Sequence, residues 1–184
     1  KNNRTHQQLT GSLYISLGLI VFHSLFNFIA YFFLKDNLIV IISEYHECET
    51  FMNIFFYSTE RATASLYGLE FCRNQGLFWE PGVLQVFLNM FFFLEAFVIK
   101  KRKFLLFLTA FLILTTYSTT GLALLLIQFT VYLFNEYNAN KWLRPFVLTL
   151  GIPIYMIFSF NVEEKILGEK EWSFQKRYFD LIQP

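Results

Sequence analysis

Residues 104–134 read FLLFLTAFLILTTYSTTGLALLLIQFTVYLF, and the reading of this run decides the fold. As one helix its 31 residues would be about 46 Å long at 1.5 Å per residue. The hydrocarbon core of a bilayer is only about 30 Å thick. As two helices, each half is short but workable. Ser118-Thr119-Thr120-Gly121 supplies the break: Ser and Thr cap helices, and Gly removes the steric limit on the backbone. We read a hairpin of two short spans, at 104–117 and 122–134.

Working outward, we read three further apolar runs as spans, at 13–34, 81–99 and 146–160. Pro81 stands at the first turn of its run, where proline is tolerated, and Gly151 and Pro153 predict a kink in the last. The chain is 55% hydrophobic, 16% charged and carries 25 Phe in 184 residues. A soluble domain carries about 25% charged residues. These figures exclude a disordered or collagen-like chain and speak against a water-soluble enzyme. A net charge of +1 does not suit a nucleic-acid binder. Spans must satisfy their own backbone, and the alternation of a barrel is absent, so the expected class is all-α: a polytopic transmembrane helix bundle of about five spans. Because the chain starts at Lys1 and stops at Pro184 within an amphipathic stretch, we read 1–184 as one membrane domain, a fragment of a longer protein.

Sidedness follows from charge. Lys100-Lys101-Arg102-Lys103 directly follows the second run and marks a cytoplasmic end, which puts the N-terminus inside. Inner segments 1–10, 100–103 and 135–145 then hold eight Lys/Arg and one acid, Glu136. Outer segments 35–80 and 161–184 hold seven Lys/Arg and twelve Asp/Glu, and the last acid, Glu95, lies inside the second span. The outer loop, 35–80, carries apolar patches at 38–42 and 51–57 that suit the membrane surface or the flank of the helices.

The densest polar cluster is Arg73-Asn74-Gln75-Gly76-Leu77-Phe78-Trp79-Glu80-Pro81-Gly82, where the outer loop enters the second span. Arg offers a planar fork of donors to phosphate oxygens, and a helix N-terminus near Pro81 also favours an anion. Trp79 can stack on a sugar or anchor at the interface. The bland alternative is an interfacial loop with an aromatic anchor and a snorkelling arginine. His23 and Asn27, then Gln85 and Asn89, repeat an i,i+4 pattern inside spans. They suit helix–helix hydrogen bonds, or the polar path of a transporter or permease core. Glu95 sits close enough to the Lys-Arg cluster for an interfacial salt bridge. The segment after Ser173 reads as an amphipathic helix bearing Lys176 and Arg177. Cys48 and Cys72 share the outer loop and can pair in an oxidising compartment. His46, Glu47, Cys48 and Glu49 are adjacent, which is not ligand spacing, so no metal site and no cofactor are expected.

Three features resemble the O-antigen polymerase and O-antigen ligase superfamily of bacterial surface-polysaccharide enzymes. They are Arg73…Gly76-Leu77-Phe78-Trp79-Glu80-Pro81-Gly82 running into a span, Thr116-Tyr117-Ser118-Thr119-Thr120-Gly121-Leu122 between short helices, and Ser173-Phe174-Gln175-Lys176-Arg177 opening an outer loop. The resemblance implies a membrane glycosyltransferase of the bacterial inner membrane that polymerises or ligates undecaprenyl-diphosphate-linked oligosaccharides. It implies that Arg73 and Arg177 bind the diphosphate, with Gly76, Trp79 and Lys176 in the substrate site. Glu80 stands where many members have Asn; it is the candidate catalytic base, or a structural partner of Arg73. The implied partners are the lipid-linked oligosaccharide, membrane lipid, and a flippase or chain-length regulator. A transporter and a non-catalytic assembly subunit are the competing classes.

Overall fold

The structure is a computed structural model that describes residues 2–42, 47–58, 63–66, 69–78, 80–99, 102–139, 152, 154–160 and 162–163. Most of the described residues are helical, as the apolar runs predict. The chain divides into two compact units, Lys1–Gln128 and Phe129–Pro184. In the first, α1 (Asn2–Leu34), α2 (Pro81–Phe93) and α3 (Lys103–Thr116) pack together, and α4 (Thr119–Ala139) begins. The second holds the end of α4 and a helical stretch at 154–160, where Ser159 Oγ donates back to the Met156 carbonyl at 3.0 Å.

Two helices are long and apolar enough to cross a membrane: Gln7–Asn37, which is α1 with a 3-10 turn at Lys35–Asn37, and Pro81–Ile99. The latter is α2 with a π-helical continuation at Leu94–Ile99. Pro81 sits at its first turn, as its missing N–H allows. α1 and α2 run antiparallel. Tyr14 stacks on Phe91 with ring centroids 5.0 Å apart, its hydroxyl reaches Glu95 at 2.8 Å, and Gly18 faces the Phe91 ring. The core between the helices is built from Leu17, Val21, Leu84, Leu88, Phe92 and Ile113, all buried.

The 104–134 run forms two helices, not one. The break falls at Tyr117-Ser118, slightly earlier than the Ser-Thr-Thr-Gly turn predicts. Tyr117 takes the left-handed conformation (φ 48°, ψ 38°) and caps α3, its N–H donating to the Leu114 carbonyl at 3.1 Å. The Ser118 carbonyl accepts the Leu122 N–H at 2.8 Å and so opens α4. Gly121 is therefore helical, and its role differs from the expected turn. A Cβ there would lie 2.9 Å from Gln85 Cβ, so glycine is what lets α4 approach α2 this closely.

The all-α expectation needs one correction. The loop between α1 and α2 folds into two small antiparallel sheets: β1 (Ile39–Ile42), β2 (Glu47–Phe51) and β3 (Phe55–Ser58) in the order 1-2-3, and β4 (Thr63–Leu66) paired with β5 (Leu69–Cys72). The apolar patches at 38–42 and 51–57 are these strands. β-branched Ile39-Val40-Ile41-Ile42 and aromatic Phe55-Phe56-Tyr57 favour a pleated backbone, and both strands pair with β2. Between β2 and β3 the chain turns through Met52 (φ 54°) and Asn53 (φ 55°), with the Ile54 N–H donating to the Phe51 carbonyl at 3.1 Å. Positive φ at both central residues makes 51–54 a type I′ turn, set within a three-residue loop because Phe51 pairs with Phe55. An isolated bridge joins Tyr57 to Asn74, carrying the sheet to the start of the 73–82 cluster.

Candidate functional site

Asn74 is the node of the site. It is buried, and its side chain joins three segments far apart in sequence. Nδ2 donates to the Ser24 carbonyl at 3.0 Å, Ser24 Oγ at 2.9 Å and Thr115 Oγ1 at 3.2 Å. Oδ1 accepts from Asn27 Nδ2 at 3.1 Å and from the Gly76 N–H at 3.2 Å. Its backbone N–H donates to the Thr115 carbonyl at 3.0 Å. Asn74 thus locks the loop against α1 and the C-terminal end of α3. The sequence reading offers Asn74 as an amide for a ligand at the membrane surface; the structure turns it inward.

Arg73 lies half-buried beside it, and its Nε donates to the Thr116 carbonyl at 3.0 Å. The cation therefore stands at the C-terminal end of α3, the negative end of that helix, where positive charge is favoured by about 0.3–1 kcal/mol. Gly76 is buried with φ +60°, and a Cβ on it would meet Leu84 Cδ1 at 3.3 Å. Its glycine is set by the turn and the close packing on α2. Glu80 is the exposed N-cap of α2, and its carbonyl accepts from the Val83 and Leu84 N–H groups. Trp79, Lys176 and Arg177 lie outside the described residues.

The polar residues of α1 and α2 have definite partners. His23 Nε2 lies 3.2 Å from the Ile54 carbonyl oxygen, and the Tyr57 hydroxyl donates to the Asn27 carbonyl at 2.9 Å. Both residues hold β3 against α1. Asn89 Nδ2 donates to Gln85 Oε1 at 3.0 Å and reaches the Gly121 carbonyl at 3.4 Å, so this pair faces the start of α4. The side-chain oxygens of Asn27, Gln75 and Asn89 are buried with no partner among the described residues. An unsatisfied buried acceptor costs roughly 1–3 kcal/mol, and native structures tolerate few of them.

At the other end of α3, buried Glu95 accepts from the Tyr14 hydroxyl and from the Arg102 backbone N–H. Its contact with the Lys-Arg segment is thus made through a main-chain group that opens α3. A carboxylate at the first turn and a guanidinium at the last complement the dipole of α3 at both ends. Among the described residues no three His, Cys, Asp or Glu gather as metal ligands. The side chains of Cys48 and Cys72 lie outside the described residues, although their backbones fall in different sheets.

Two of the three sequence features that carry the family resemblance therefore meet. Residues 73–76 dock on Thr115 and Thr116, and α2, which follows Glu80, receives Gly121. Sequence reasoning missed Ser24, Tyr57 and Thr115 as members of this cluster. Ser24 lies between His23 and Asn27, which is the one signal it carries. Compared with protein-family models, curated proteins and solved structures, the chain matches none.

Proposed function

We infer that the chain is the membrane-embedded part of a glycosyltransferase that polymerises or ligates polyprenyl-diphosphate-linked oligosaccharides at the outer face of the bacterial inner membrane. The observation that carries this reading is the union of the 73–76 turn with the α3–α4 break, which puts the Arg73 guanidinium at the C-terminal end of α3. The same two motifs belong together in the resemblance, though 41 and 43 residues separate the bonded pairs.

In the proposed reaction an acceptor sugar hydroxyl attacks the anomeric carbon of the donor. The bond from that carbon to the diphosphate oxygen breaks, and the diphosphate leaves with the electron pair. Arg73 stabilises the charge that grows on the leaving oxygens, a role the resemblance also gives Arg177. Glu80, exposed at the head of α2, takes the hydroxyl proton. The resemblance also assigns Trp79 and Lys176 to substrate binding. The multi-pass arrangement of about five spans, with the N-terminus inside, belongs to the same proposal. The polar residues of α1 and α2 hold backbone and one another, which favours a scaffolding role for them over a transport path.

In cells making the polysaccharide, full-length Arg73→Ala protein should insert normally but yield only single repeat units. Long chains of unchanged length distribution would reject the assignment.

A further inference from the structure

The turn between β2 and β3 lies beside the middle of α1. His23 Nε2 is 3.2 Å from the Ile54 carbonyl oxygen, the His23 ring stacks on Phe55 with centroids 5.8 Å apart, and Asn27 Nδ2 donates to the Phe56 carbonyl at 3.4 Å. His23 is eleven residues before Leu34, the end of α1. The turn therefore sits about 16 Å back along the helix.

The register of α1 and α2 gives the depth. Glu95 meets Tyr14 and Phe91 meets Gly18, so Pro81 falls roughly level with Phe28 of α1. The 19 residues of Pro81–Ile99 extend about 28 Å, close to the ~30 Å hydrocarbon thickness. With Pro81 at the outer boundary, the level of His23 is about 7 Å inside it.

The side chains suit that depth. Met52 is 73% exposed and Ile54 51%, and on the neighbouring surface of α1 Phe26 is 62% exposed. Several polar groups around the turn close on one another or on α1, while the Asn53 side chain stands exposed at its tip. Ile54 N–H donates to the Phe51 carbonyl, Thr50 Oγ1 donates to the Phe55 carbonyl at 2.9 Å, and the Ile54 carbonyl faces His23. Such closure is what a bilayer demands and water does not.

We propose that the β2–β3 turn is a wedge inserted into the outer leaflet, with Met52 and Ile54 among lipid acyl chains. This rests on the reading of α1 and α2 as membrane spans. A depth of about 7 Å lies within the roughly 5–10 Å reached by interfacial apolar faces. The Tyr57–Asn74 bridge connects the wedge to the Arg73 turn.

The test uses the full-length protein in bilayer vesicles, with Cys48 and Cys72 replaced by Ser. A nitroxide is placed at Met52→Cys, at Ile54→Cys, or at Phe26→Cys as the reference on α1. Both turn labels should respond to oxygen far more than to a water-soluble nickel chelate, at a depth of about 5–10 Å. Nickel access at the turn with Phe26 still lipid-like would overturn the wedge alone. Exclusion of both reagents, as under a protein partner, would also overturn it. Nickel access at Phe26 would overturn the spanning reading and the wedge with it. An acyl-chain diazirine used on the unsubstituted protein should label residues 51–54, and labelling confined to the helices would refute the proposal without any variant.

Discussion

Asn74→Ala is the substitution that most directly probes how the site is built. It removes five side-chain hydrogen bonds: to the Ser24 carbonyl, Ser24 Oγ and Thr115 Oγ1, and from Asn27 Nδ2 and the Gly76 N–H. Side-chain bonds between membrane helices average roughly 0.6 kcal/mol each, which gives a loss of about 3 kcal/mol. Counting abandoned partners gives a similar figure. The Gly76 N–H and one Asn27 amide hydrogen lose their acceptor, and each buried orphan costs roughly 1–3 kcal/mol. Thr115 Oγ1 keeps its donation to the Leu112 carbonyl at 2.7 Å, so it adds little. Asn74→Asp separates geometry from charge. It keeps the acceptor toward Asn27 and Gly76 but sets an oxygen against the Ser24 carbonyl and a negative charge at the negative end of α3. It should therefore be no milder than alanine. The assay is reversible unfolding in mixed micelles at rising SDS fraction. An Asn74→Ala loss below about 0.5 kcal/mol, the range of ordinary surface changes, would refute the account of Asn74 as the lock.

Three further substitutions, at two positions, test the α2–α4 contact and the start of α3. Gly121→Ala drives a methyl to within 2.9 Å of Gln85 Cβ, which is backbone-anchored and cannot swing away; the same unfolding assay should show a loss of about 1–3 kcal/mol, and no loss would mean that α4 does not touch α2 there. Glu95→Ala strands the Tyr14 hydroxyl and the Arg102 N–H and should cost about 2–4 kcal/mol. Glu95→Gln keeps an acceptor and should cost clearly less; equal losses would deny that these two bonds matter.

Much of the helical framework is legible from residue type alone. Long runs without charge force helices, Pro81 marks the start of α2, and the Thr-Tyr-Ser-Thr-Thr stretch marks the break between α3 and α4. The residue that takes the left-handed turn is not legible: Tyr117 does so while Gly121 four positions later stays helical. That choice is tertiary, because Gly121 is needed where α2 presses on α4. The small sheets were hidden for a related reason. Their strands are only four or five residues long, and β1 and β3 are short, mostly apolar runs that periodicity cannot separate from an interfacial patch. At the site, the cluster around Arg73 is visible as composition, but its direction is not. Whether an amide faces ligand or protein depends on Ser24 and Thr115, and nothing local to Asn74 announces either.

The central claim is covalent chemistry on a lipid diphosphate. Purified full-length protein in lipid vesicles, given a polyprenyl-diphosphate oligosaccharide, should release one polyprenyl diphosphate for each glycosidic bond formed, and Arg73→Ala protein should release none. Passage of the lipid-linked sugar across the vesicle membrane without any new glycosidic bond would contradict the account and favour a transporter.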